Sequence, residues 1–133
     1  MNLTYIIPLP PVSKKNSQQI GRTKDGRPFI MQSGVYRKYE KEAAWFLRKK
    51  PEAPISRPVN VQCVFYMPTR RRVDKSNLEA AAHDLLVKYG ILADDNRDII
   101  ATTDGSMVLY DKACPRTEIA ITPVEEYEQW RTT

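Results

Sequence analysis

The run Arg70-Arg71-Arg72-Val73-Asp74-Lys75-Ser76-Asn77 sets a block of positive charge directly against oxygen donors. A second acidic cluster, Asp94-Asp95-Asn96, follows one helix length later. Carboxylates and an amide oxygen are the ligands a hard ion takes in near-octahedral geometry, so Asp74, Asp94 and Asp95 form a candidate site for Mg2+, with Mn2+ as a substitute. Such an ion polarises a phosphoryl oxygen and lowers the pKa of a bound water. Guanidinium groups beside it hold neighbouring phosphates by charge-assisted hydrogen bonds. A metal-dependent phosphodiesterase needs both components. Each also has a plainer explanation: Asp74 as a helix cap, residues 94–96 as a polar turn, and Arg70, Arg71 and Arg72 as a solvated strand end.

The element that must position these groups is a helix. Leu78, Ala81, Ala82, Leu85, Leu86 and Tyr89 recur at the spacing of one buried face. Asp74 stands at the N-cap position and Gly90 where the helix should stop, which predicts a helix over residues 74–89. At about 100° per residue Asp74, Asn77, Ala81, Asp84 and Lys88 lie within about 60° of one another along one edge of the apolar face. If the turn after Ile91-Leu92 folds back, Asp94 and Asp95, at the head of a further strand, approach that stripe. His83 projects opposite the stripe and reads as a surface residue, with Glu79 also turned away.

Around this helix the chain reads as follows. Residues 3–7 form a strand ended by Pro8, Pro10 and Pro11. From Val12 to Gln32 runs a long basic loop with Lys14, Lys15, Asn16, Arg22, Lys24 and Arg27 and a tight turn at Asp25-Gly26. It is either ordinary surface charge or an arm that tracks phosphates. A second helix opens at Gln32 or Ser33, carries Val35, Tyr39, Ala43, Phe46 and Leu47 inward, and ends before Pro51. Residues 59–66 alternate as a strand packed on its Val, Cys and Phe side and lead into the arginines. Residues 99–103, 107–110 and 117–122 are further strands, and residues 124–130 a short helical tail. The order β, α, β, α, β, β describes an α+β domain, two helices on a mainly antiparallel sheet, occupying residues 1–133.

Composition narrows the function classes. With 133 residues, 41% hydrophobic and 28% charged, the chain is long enough for a core and is neither disordered nor a membrane protein in type. No apolar run spans a bilayer and no signal peptide opens it, which predicts a cytoplasmic protein. The net charge of +5 suits contact with polyanions. Cys63 and Cys114 read as reduced, buried strand thiols with no zinc-ligand spacing. The absence of a Gly-rich phosphate loop argues against a nucleotide cofactor, and a lone histidine leaves serine or cysteine triads little to build on.

The arginine run, the Asp-x-x-Asn helix start at Asp74 and Asn77, Asp84 and the Asp94-Asp95 pair, preceded by Pro10-Pro11 and a Ser/Asn loop ending at Asn16, resemble the RusA family of Holliday junction resolvases, often carried by phages and prophages. The likeness runs from the Pro-Pro segment to about Thr122. It implies a homodimeric, Mg2+-dependent endonuclease that cuts four-way DNA junctions symmetrically. By position Asp74 matches the family's first essential aspartate, Asp95 its last, Asn77 the motif asparagine, and Asp84 an acidic residue one helical face on. Two positions depart: Ser76 replaces the middle carboxylate of Asp-x-Asp-Asn, and Ala80 stands where the family has a catalytic lysine. Ser76 retains the ability to hold a metal-bound water, and Lys75 and Lys88 are the cations at hand. The alternative is a DNA-junction binder whose catalytic set has eroded; a flap nuclease would share the acidic site.

Overall fold

The computed structural model describes residues 2–13, 18–32 and 34–124. The expected tail helix at residues 124–130 and the cluster Lys14, Lys15 and Asn16 fall wholly or almost wholly outside them.

The longest strand organises the rest. In β4 (Val59–Met67) Val59, Val61, Cys63 and Phe65 are buried while Asn60, Gln62, Val64 and Tyr66 are partly open, as strict alternation demands of a strand with one face on the core. On one side β4 pairs antiparallel with β7 (Arg116–Pro123), which pairs antiparallel with β1 (Leu3–Ile7). On the other side two short strands share its edge: β5 (Ile100–Thr102) runs parallel to its start and β6 (Met107–Tyr110) parallel to its end. The five-stranded sheet is therefore mixed.

Both helices lie on the apolar face. Helix α1 (Gly34–Phe46) buries Tyr36, Tyr39 and Ala43, and α2 (Lys75–Lys88) buries Leu78, Ala81, Ala82, Leu85 and Leu86. Together with Tyr5, Ile7, Ile119 and Ile121 they form a contiguous core. The α+β order expected from the sequence holds, with one insertion. Residues 12–32 are not simply a long loop: β2 (Gln18–Arg22) and β3 (Pro28–Gln32) make an antiparallel hairpin. Gly26, at φ +86°, closes its turn through a bond from its N–H to the Thr23 carbonyl (2.9 Å).

Three details of the sequence reading change. Val35 is 67% exposed and Tyr36 takes its place inside, because the buried stripe of α1 runs Tyr36, Tyr39, Ala43, Leu47. Cys63 is buried as expected, but Cys114 is exposed in the turn between β6 and β7. Asp94 and Asp95 lie in an exposed loop, with β5 starting only at Ile100. Among the described residues no helix is long and apolar enough to cross a membrane.

Candidate active site

Strand β4 delivers the chain past Pro68 and Thr69 into the exposed Arg70, Arg71 and Arg72, and Asp74 then starts α2. Asp74 Oδ1 accepts from the N–H groups of Ser76 (2.9 Å) and Asn77 (3.4 Å), satisfying donors that the first helical turn otherwise leaves open. The N-cap role is thus realised. Ser76 is exposed and Asn77 half-buried.

The acidic loop is fixed at both ends. Helix α2 terminates where Gly90 takes φ +76°, and the N–H groups of Ile91 and Leu92 return to the Leu86 carbonyl (2.9 and 3.1 Å). Ile91 and Leu92 are buried, and Ala93 donates to the carbonyl of Ile55 (2.9 Å). Beyond the loop Ile99 and Ile100 are buried again, and Val59 donates to the Ile99 carbonyl (2.8 Å). Between these anchors Asp94 Oδ1 accepts from the Asp95 N–H (2.7 Å) and its Oδ2 from the Asn96 amide (3.3 Å), while Asn96 Oδ1 accepts from the Asp98 N–H (2.9 Å). Asp94 organises its own turn; Asp95 beside it is exposed.

His83 is not the surface residue its position on the helical wheel suggests. It is only partly exposed, and its Nε2 is buried without a hydrogen-bond partner among the described residues. Burial pushes its pKa below the ordinary 6.5, against the opposing pull of Glu79, Asp95 and Asp84. Those three carboxylates therefore lie within electrostatic reach of the middle of α2. Asp74 caps the first turn, nine residues from His83 and about 13–14 Å of helical rise away. Among the described residues no three Asp, Glu, His or Cys side chains gather around one point as a ready metal-binding group.

The cations divide into paired and outward-facing ones. Lys75 pairs with Glu79 one turn on (3.4 Å) and Lys88 with Glu40 of α1. In the hairpin turn Arg27 pairs with Asp25 (2.8 Å) and Arg22 donates to the Gly26 carbonyl (3.2 Å), leaving Lys24 exposed beside them. The Arg70 guanidinium stacks on Tyr110, 4.2 Å from the ring centroid. Tyr110 escaped the sequence reading because the register Met67↔Tyr110, which brings β6 beside the end of β4, is a long-range pairing with no local signal. Arg116 was missed likewise; it stacks on Tyr66 (3.7 Å) and pairs with Asp111 and Glu118 (2.9 and 2.7 Å).

The α+β chain thus presents an arginine run and a carboxylate cap at the start of α2 and an anchored acidic loop after its end. The model of the family Endodeoxyribonuclease RusA matches residues 8–122. The chain belongs to that family, which implies nuclease activity on Holliday junctions and binding of branched DNA. Comparison with curated proteins yields no match.

Proposed function

We propose that this protein is a Mg2+-dependent endonuclease acting as a homodimer on four-way DNA junctions, with Asp74, Asp94 and Asp95 as its essential carboxylates. The observation that carries the reading is the direct succession of Arg70, Arg71 and Arg72 and the Asp74 cap at the end of β4. A phosphate held by the arginines then lies next to the start of α2. The donor set fits the ion in chemistry, all hard oxygens. It does not form a complete protein-only cage, and Mg2+ ordinarily completes its shell with water and substrate phosphates around one or two carboxylates. When bound, the ion supplies charge stabilisation at phosphorus and an acidified water.

The chain's own residues do the rest. Arg70, Arg71, Arg72 and Lys24 bind backbone phosphates, with Lys14, Lys15, Asn16, Arg22, Arg27 and Lys75 as further contacts. Because such groups carry little base information, selection is by junction shape. Asn77 and Asp84 support the carboxylates from α2, and Ser76 holds water near them. A symmetric substrate calls for a two-fold dimer.

The second reading, a junction binder without catalysis, is favoured by Ala80 at the family's lysine position and by the lack of a preformed three-ligand group among the described residues. Incubation with a four-way junction and Mg2+ separates the two. Paired symmetric nicks, lost in Asp95→Asn with binding kept, support the nuclease. Tight binding with no cutting at any Mg2+ or Mn2+ concentration supports the binder.

A further inference from the structure

We propose that the depression at the paired ends of β4 and β6 seats a nucleobase, unpaired or swung out of the stack at the branch of the DNA, with Tyr110 as its stacking platform. This rests on the nuclease reading above and adds a contact that responds to an unstacked base rather than to backbone charge.

The depression has a volume of about 360 Å³ and is lined by Thr69, Arg70, Arg71, Leu109 and Tyr110 with the strand ends beneath them. That is within the range of sites that take small planar ligands, roughly 300–1,000 Å³. Its chemistry suits stacking: an aromatic ring beside a guanidinium whose central carbon lies 4.2 Å from the ring centroid. Strand β6 also breaks the pattern of β4. There the apolar residues alternate inward, whereas Met107, Leu109 and Tyr110 are 43%, 41% and 40% exposed. Apolar side chains carried to solvent on a short strand call for something to cover them. Charge decides what: Arg71 lines the depression and the exposed Arg72 follows it in the chain, so the planar occupant is one carried on a phosphate backbone.

Position ties the depression to the cutting site. From Arg70 to Asp74 is four residues, at most about 14 Å of extended chain. At 3.4 Å per nucleotide along a strand, the seated base belongs within roughly four nucleotides of the phosphate at Asp74.

The test uses four-way junctions carrying 2-aminopurine at successive positions within four nucleotides of the branch, bound by the full chain with EDTA present so that no cutting occurs. One position should respond in fluorescence to the wild type and to Tyr110→Phe, whereas the same analogue in paired duplex should not. Tyr110→Ala, and Tyr110→Leu, which keeps an apolar side chain but has no π face, should lose the response, with junction affinity falling roughly 5- to 150-fold. Wild-type affinity and fluorescence in either folded variant overturns the proposal. So does a Tyr110 change that alters only the solution mass, since the face is then a contact between copies. A wild type that cuts junctions in Mg2+ without any 2-aminopurine response sinks the base seat alone; one that neither binds nor cuts them sinks the nuclease reading as well.

Discussion

Asp74 has two jobs that substitution can pull apart. Its Oδ1 caps α2 through the N–H groups of Ser76 and Asn77, and its charge is the one proposed to act on DNA. Asp74→Asn keeps an acceptor oxygen, and Asn caps as well as Asp, so the cap survives. The loss is the favourable charge at the helix N-terminus, about 0.3–1 kcal/mol for an exposed position. Asp74→Ala also removes the acceptor, a further 0.5–2 kcal/mol or about 1–3 kcal/mol in all. With unfolding entropy near 2.1 cal/mol/K per residue, each kcal/mol shifts the melting temperature of this chain by roughly 3–4 °C. Asn should therefore lower it by about 1–4 °C and Ala by about 3–11 °C. Cutting of a four-way junction in Mg2+ should fall about 100-fold or more in both, since even groups that merely orient a metal ligand cost 10–100-fold when lost. Thermal melts and single-turnover cleavage on the same preparations read the two axes separately. If Asp74→Asn melts as expected yet cuts within a few-fold of wild type, Asp74 is a cap only and the site must be rebuilt around Asp95.

Three further outcomes follow from the geometry. Gly105 sits at φ +86° in the turn between β5 and β6, and a Cβ there would overlap Gln62 Nε2, which donates to the Gly105 carbonyl (3.3 Å); Gly105→Ala should destabilise by about 1–3 kcal/mol in urea unfolding, and a neutral result would mean that the turn re-forms with negative φ. Because burial depresses the His83 pKa, the unfolded chain binds more protons below 6.5; the neutral ring's contribution is complete above that pH and is lost as pH falls through the folded value. His83→Gln should flatten the acid side of the stability curve between pH 7 and pH 5, and an unchanged slope would assign that limb to other groups. Burial pushes the Cys63 thiol up to about 12, while Cys114 is exposed; a maleimide should label Cys114 alone in the folded protein, and rapid double labelling would contradict the buried β4 face.

Legibility in the sequence followed the range of the interactions. Helix α2 was readable because its apolar period, its Asp74 cap and its Gly90 stop are all local signals, and they agree. Strand β4 was readable because alternation survives wherever one face is buried. The hairpin β2–β3 was not, since residues 18–32 have no clean alternation and only the Gly26 turn announced itself. The helical wheel put His83 on the surface because it knows the angle around one helix and nothing of what covers it. The burial of its Nε2 and the electrostatic reach of Asp95 both come from tertiary packing, such as the bridge between Ile55 and Leu92 that fixes the acidic loop's start and pairs segments far apart in sequence.

The same distinction bears on position 80, where the resemblance leads one to expect a lysine. Position 80 holds an exposed alanine, and by charge alone Lys75 and Lys88 were its natural substitutes. Their surroundings argue otherwise. Lys75 is held by Glu79 one turn along the same helix, and Lys88 by Glu40 across the α1–α2 contact. Lys88 also stands fourteen residues from Asp74, about 21 Å of helical rise. Arg70 is partly spent on Tyr110. The positive charge that a phosphate at the head of α2 would meet therefore comes mainly from Arg71 and Arg72, on the backbone leading into the cap rather than on the helix. A guanidinium stays protonated at every working pH and holds phosphate in a two-pronged grip, but it cannot deliver a proton as an amine can. Under the nuclease reading, Ala80 thus leaves charge stabilisation to Arg71 and Arg72 and offers no amine at that helical position to hand a proton to the leaving oxygen.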